Sequence, residues 1–278
     1  MRGPDFARAM LEGLAEVRGK LVTDLRVQLR VETHMMDDFD RIGALIAEHG
    51  IGYVVFNDHL PHAALAKGKR PPRLTGQALK SGRNPEKHLE MMQALHARRA
   101  EVPGAVADFA GRLRERGVLT GSHDDADAEA RRTARGLGLR ISEFPETAGA
   151  AQEAVAQGDP VVMGAPNVMR GASHSGNVAA EEVVEAGQCT ALASDYHYPS
   201  LGYAAQKLVP RIGEPAAWAL VTSGPAAMLG LGDRGTIAPG MRADFVAWNP
   251  ATGRPGLTVA GGRVSHADAA AAAALLSA

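Results

Sequence analysis

The chain has 278 residues, with 30 Lys and Arg against 31 Asp and Glu, a formal net charge of −1. That balance excludes a uniformly basic protein built around a nucleic-acid backbone. A hydrophobic content of 45% supplies a substantial core and excludes wholesale disorder. The single cysteine, Cys189, excludes an intrachain disulfide framework and any cysteine-rich zinc module.

No apolar run approaches the roughly 20 residues that span a bilayer, and the opening Met-Arg-Gly-Pro-Asp lacks a signal-peptide apolar core. A soluble, cytoplasmic protein with no membrane and no nucleic-acid partner is therefore the expectation. Residues 6–20 follow a 3.6-residue apolar period and predict an amphipathic helix. Six short apolar runs follow, at 25–32, 53–59, 118–125, 140–146, 161–167 and 191–197, each ending in polar residues. Helical patterns alternate with them: DDFDRIGALIAEHG, with Asp37 or Asp38 as N-cap and Gly50 as stop, then DADAEARRTARGLG, TAGAAQEAVAQG and VAAEEVVEAG. Strands alternating with helices imply βαβ units and parallel pairing.

The polar residues Glu32, Asp58, His59, His123, Asp124, Asp125, Glu143, Asn167 and Asp195 all fall at or near strand C-terminal ends. In a (β/α) barrel these ends converge on one mouth, where the active site is built. A doubly wound open sheet would concentrate such groups near one switch point, so the barrel is favoured. After Asp195, residues 199–209 and 214–230 look helical, and GTIAPGMRADFVAWNP with GLTVAGGRV reads as short β segments. The expected division is a partial (β/α) barrel over 1–232, a small β appendage over 233–266 and an Ala-rich tail over 267–278.

His59, His123 and Asp195 end three different strands and supply two neutral nitrogens and an anionic oxygen, the ligand set of a divalent metal such as zinc. Glu32 adds a carboxylate able to bridge if two ions are bound. His34, His49, His88, His96 and His266 lie outside this order and receive no role. His123 and Asp125 form an H-x-D string whose members share one side of a strand, although Asp124 or Asp125, Asp125 by preference, also suits the N-cap of the next helix.

Two segments suit a polyanionic small molecule. GAPNVMRGASHSGN (164–177) combines glycines with Arg170, Ser173, His174 and Asn177 ahead of a helix, a plausible phosphate cradle or else a turn-rich structural loop. Residues 60–85 carry six cations, Lys67, Lys69, Arg70, Arg73, Lys80 and Arg83, and no acid. A loop of that length is uncommon unless functional. A solvated flexible loop is the alternative, and the lack of aromatics weakens RNA stacking. Cys189 has no neighbouring histidine and reads as buried and inert.

The ordered strings VET, NDHLPH, GSHDD, EFPET, MGAPNVMRGASHSGN and SDYHYPS resemble the diphosphatase family of the carbon–phosphorus lyase pathway, within the amidohydrolase superfamily. The ending TSGPAAMLGLGDRGTIAPGMRADFVAWNP and VAGGRV resembles the general superfamily ending. The resemblance implies an α/β fold, a (β/α) barrel of the amidohydrolase type with about six of its eight strands present and a remnant of a small C-terminal β appendage. It implies metal ligation by Glu32, His59, His123 and Asp195, with Asp195 also the general base, and one or two divalent ions, zinc or similar. The implied reaction hydrolyses α-D-ribose 1-methylphosphonate 5-triphosphate to the 5-phosphate and pyrophosphate. Assigning phosphates to Lys69, Arg70, Arg73 or Arg170 is a further inference.

The family's first barrel strand carries an H-x-D ligand pair, which does not precede Glu32; an N-terminally shortened chain of impaired activity is the expectation. Hydrolysis of an amide or cyclic amidine is the alternative within the superfamily. A non-catalytic anion-binding fragment is the alternative outside it. The sequence leaves homo-oligomerisation open.

Overall fold

The structure is a computed structural model that describes residues 4–171, 176–249 and 252–277. Helix α1 (Pro4–Arg18) leads into strand β1 (Gln28–Glu32), a 3-10 turn (Met36–Asp38) and α2 (Phe39–Glu48). Strand β2 (Tyr53–Asn57) is followed by four helices, α3 (His62–Leu65), α4 (Leu74–Lys80), α5 (Pro85–Ala97) and α6 (Val102–Glu115). Then come β3 (Leu119–His123), α7 (Ala128–Gly136), β4 (Ile141–Glu143), α8 (Ala148–Ala156) and β5 (Val161–Gly164). Next are α9 (Ala165–Arg170), α10 (Ala180–Glu185), β6 (Ala191–Ala193), α11 (Ser200–Ile212), α12 (Glu214–Ala219) and α13 (Ser223–Met228). Strands β7 (Phe245–Asn249), β8 (Arg254–Ala260) and β9 (Arg263–Ala267) precede α14 (Ala269–Leu276).

All six expected parallel strands form, in the order β1-β2-β3-β4-β5-β6. Each is shorter than its apolar run: β1 begins three residues late, at Gln28, and in the other five the last polar residues of the run have left the ladder. The order never reverses, so right-handed crossovers lay the helices on one face, as in a (β/α) barrel. Alternation along the strands separates two faces. Leu29, Val31, Val54 and Phe56 join the outer core with Phe39 and Phe109 of the helical layer. Val161, Met163 and Leu192 do the same against α8 to α12. Tyr53, Leu119, Ile141, Val162 and Ala191 meet on the inner face.

That inner face is curled. Glu143 on β4 accepts hydrogen bonds from Gln28 and Arg30 on β1, the latter at 2.7 Å. In a flat sheet β1 and β4 would stand about 14 Å apart, three strand spacings. Only curvature brings these side chains together. Gly121 on β3 belongs to the same tight packing, since a Cβ there would sit 2.8 Å from the Ile141 carbonyl oxygen.

The segment 60–85 is not a bare loop: it contains α3 and α4, packed through Leu65 and Leu74 against Met92 of α5. Asp125 does not cap α7. It is buried, and Asp127 caps instead, its carboxylate accepting from the Ala130 amide at 2.8 Å. The C-terminal strands form an antiparallel sheet, β7-β8-β9. It docks on α11 and α12 through Trp248, which meets Tyr203 and Trp218 edge-on at 6.0 and 5.6 Å. Among the described residues no helix is long and apolar enough to cross a membrane.

Candidate active site

Parallel register lines up the strand ends: Glu32 pairs with Asn57, Phe56 with Ser122, His123 with Glu143 and Gly164 with Ala193. The residues just past three of these ends, Asp124, Phe144 and Asp195, have φ of 59°, 59° and 47°. Left-handed backbone is costly for a residue with a Cβ, least so for Asp and most clearly for Phe. Such strain concentrates where a chain must aim side chains into a functional cleft.

Glu32 and His59 touch. His59 Nδ1 lies 2.6 Å from Glu32 Oε1, and the His59 amide donates to Glu32 Oε2 at 3.3 Å. This hydrogen bond favours the imidazolium and raises the His59 pKa above its ordinary value, against the opposing effect of burial. His123 stands across from it, the two ring centroids 6.4 Å apart. Burial, helped by the charges of Arg30 and His59, pushes the His123 pKa down to about 4. Its Nδ1 is buried without a hydrogen-bond partner, 3.4 Å from Glu143 Oε1.

Asp195 lines a cavity of about 230 Å³ with Asp124, Phe144, Asn167, Arg170, Asn177 and Tyr196. Glu32 and His59 line a second, of about 450 Å³, whose wall includes Arg73, Gln77 and His88. Asp124 joins the halves: its carboxylate is 3.6 Å from His123 Nε2 and faces the first cavity. Burial, with repulsion from Glu146, lifts the Asp124 pKa to about 6. A carboxyl poised there can hold or release a proton near neutral pH. The sequence offers Asp124 as a strand-end acid in His123-Asp124-Asp125; its place between His123 and the smaller cavity comes from the fold, which the string does not encode.

Of the expected anion-binding residues, Arg73 faces the larger cavity and Arg170 and Asn177 the smaller. Arg170 donates to the Tyr196 hydroxyl at 2.6 Å, and Asn177 to Glu146 at 3.1 Å. Arg70 is turned to Glu86, 2.7 Å away on α5. Lys69 is exposed. Ser173 and His174 lie outside the described residues. Cys189 is half-buried, its thiol donates to the Ala191 carbonyl at 3.3 Å, and burial pushes its pKa up to about 12.

No three of Glu32, His59, His123 and Asp195 bring ligand atoms within 4.8 Å of one another; among the described residues the one group that does so is His34, Asp58 and His62. His34, given no role by sequence order, belongs to this group, and His96, likewise given none, contacts its His62 at 2.8 Å. The donor set of the first four residues nevertheless suits a divalent ion. His123 is held neutral with an unsatisfied ring nitrogen, and a ligating imidazole must be neutral.

A family model described as "Amidohydrolase family" matches residues 211–266. The α-D-ribose 1-methylphosphonate 5-triphosphate diphosphatase of Escherichia coli (strain K12) is 44% identical over 142 residues, 50% of this chain and 38% of that protein. The match thus spans well under half the length of that relative. Among solved structures, N-acetylglucosamine-6-phosphate deacetylase from Pasteurella multocida superposes with a TM-score of 0.57 at 9% identity, covering 96% of this chain and 74% of that one. Beta-aspartyl dipeptidase from Fervidobacterium islandicum AW-1 gives 0.54 at 13% identity, over 96% and 71%. A third structure, described as an amidohydrolase, gives 0.54 at 15%, over 84% and 59%. At these identities the likeness concerns the fold. The chain has an amidohydrolase-type fold. It comprises a partial (β/α)-barrel sheet of six parallel strands with an antiparallel C-terminal sheet.

Proposed function

We propose that this protein acts as a metal-dependent phosphohydrolase on α-D-ribose 1-methylphosphonate 5-triphosphate, releasing pyrophosphate and leaving the 5-phosphate. The substrate assignment rests on the 44% identity over 142 residues to the E. coli diphosphatase. The metal dependence is supported by the facing pair His59 and His123, the second neutral and buried beside Glu143.

Glu32, His59, His123 and Asp195 would hold one or two divalent ions of the zinc class. Such an ion supplies Lewis acidity toward water and toward phosphoryl oxygens. The chain's own groups do the rest. Asp195 accepts the proton of the attacking water. Arg170 and Asn177 in one cavity, and Arg73 in the other, bind and orient the phosphates. The water oxygen joins one phosphorus of the α–β anhydride, and the bridging oxygen leaves with the other. Asp124, with its pKa near 6, stands where it can return a proton to the departing oxygen.

The test offers the full chain, with Zn²⁺, the ribose triphosphate in one arm and a panel of amides and cyclic amidines in the other. Calorimetry of triphosphate binding accompanies an assay of released pyrophosphate. The expected result is triphosphate binding and pyrophosphate release, with release lowered at least about 100-fold in Asp195→Asn, the scale of losing a proton-transfer group. Hydrolysis of an amide without pyrophosphate release, or failure to bind the triphosphate, overturns the assignment.

A further inference from the structure

A second cluster of metal-ligating side chains lies beside the proposed catalytic residues and shares none of them. His34 follows β1 by two residues, Asp58 follows β2 directly, and His62 is the first residue of α3. His34 Nε2 is 3.2 Å from Asp58 Oδ2, and His62 Nε2 is 2.8 Å from the same oxygen. The other carboxylate oxygen accepts the Leu60 amide hydrogen bond at 3.0 Å, which fixes the carboxylate and aims Oδ2 between the two rings. All three ligand atoms lie within 4.8 Å of one another.

The surroundings are built as a ligand shell is. His62 Nδ1 is 2.8 Å from His96 Nδ1 on α5, a contact that holds the orientation of the His62 ring. Outer partners of this kind orient metal-ligating imidazoles. The His34 and His62 rings stand 5.1 Å apart, and those of His62 and His96 5.0 Å apart. His34 is 5% exposed, and its Nδ1 has no hydrogen-bond partner, so the contact of this buried ring with Asp58 is its one polar engagement among those described.

We propose that His34, Asp58 and His62 bind a divalent cation of the zinc class, independently of the catalytic reading above. Two imidazole nitrogens and one carboxylate oxygen are the donors such an ion takes, with a fourth position left to water or an incoming ligand. Bonds of about 2.0–2.1 Å in a tetrahedron separate ligand atoms by about 3.3 Å, so the observed 2.8 and 3.2 Å need only small adjustments. The ion would tie the loop after β1 to the loop after β2 and to α3. It would thereby pin residues 58–62, which carry His59 and form part of the wall of the larger cavity.

The test needs no substrate. Full-length protein stripped with a chelator and then dialysed out of it is titrated with Zn²⁺ against a chromophoric competitor, and metal content is measured after gel filtration. Wild type is expected to hold an equivalent that the double variant His59→Asn, His123→Asn retains and that Asp58→Asn or His62→Gln loses. His96→Ala should weaken that equivalent by about 10–100-fold, the usual cost of removing an outer partner. Circular dichroism identifies any variant that fails to fold, and Asp58→Asn, at a partly exposed carboxylate, is the variant least exposed to that failure. Retention of all bound zinc in folded Asp58→Asn, loss of all of it in folded His59→Asn, His123→Asn, or no zinc bound by wild type overturns the proposal.

Discussion

Among the described residues Arg131 is the largest fully buried side chain. It reaches from α7 to the outer face of the sheet, pairing with Asp125 at 3.0 Å and donating to the Ser122 hydroxyl at 2.7 Å and to the Leu139 carbonyl. Ser122 and Ser142 each donate to the same Asp125 oxygen at 2.8 Å. A buried ion pair contributes little relative to apolar residues of the same shape, but losing one partner strands the other in low dielectric. Arg131→Met is therefore expected to cost about 3–5 kcal/mol in urea unfolding. Arg131→Lys should also destabilise, because an ammonium cannot reproduce the planar fork. This network accounts for what the sequence conceals around residue 125. The sequence pattern points to Asp124 or Asp125 as the helix cap, and only the placement of an arginine six residues on decides that Asp125 turns inward and Asp127 caps. His34 and His62 are hidden for a similar reason: 28 positions apart, they meet through β-strand register, which no local spacing announces.

At the scale of elements, the parallel strands and the helices between them are legible because apolar periodicity and the polar strand ends both report the same mouth. The segment 60–85 is less so: its glycines, prolines and cations suggest a loop, whereas Leu65, Leu74 and Met92 give α3, α4 and α5 a small core of their own. The docking of the C-terminal sheet is not legible at all, since it rests on Trp248 meeting residues of α11 and α12 far away in sequence, with Gly202 leaving room for the ring. A Cβ on Gly202 of α11 would lie 2.5 Å from the Trp248 ring of β7. Gly202→Ala improves helix propensity on paper, by about 1 kcal/mol. The clash should outweigh that gain, because overpacking forces a rigid indole to move and costs about 1–3 kcal/mol. The expected outcome is a less stable protein with altered tryptophan emission, since Trp218 and Trp248 are the two tryptophans of the chain and pack on each other. Unchanged emission and a raised melting temperature would show that α11 and β7 are not in this contact.

Across the whole molecule, the curled sheet gathers a polar interior around Glu143, and long-range ion pairs fasten distant segments to one another. Asp24, just ahead of β1, pairs at 2.9 Å with Arg234, which follows α13, although the two are 210 positions apart. Arg26 reaches the same Asp24 oxygen at 3.1 Å. Burial alone would raise the Asp24 pKa; the hydrogen bonds and charges of Arg234 and Arg26 outweigh it and hold the carboxyl below its ordinary value. A carboxyl with a depressed folded pKa stabilises the fold fully above its unfolded pKa of about 3.9 and loses that contribution as pH falls through the folded value. The pair is partly solvated, so its worth is about 0.5–1 kcal/mol. Asp24→Asn should therefore be less stable than wild type by that amount in urea at pH 7, with the gap closing below about pH 4 as Asp24 itself becomes protonated. A gap that widens in acid would mean the shift has the opposite sign, and no gap at pH 7 would mean that the Asp24–Arg234 contact does not fasten the start of the sheet to the segment beyond α13.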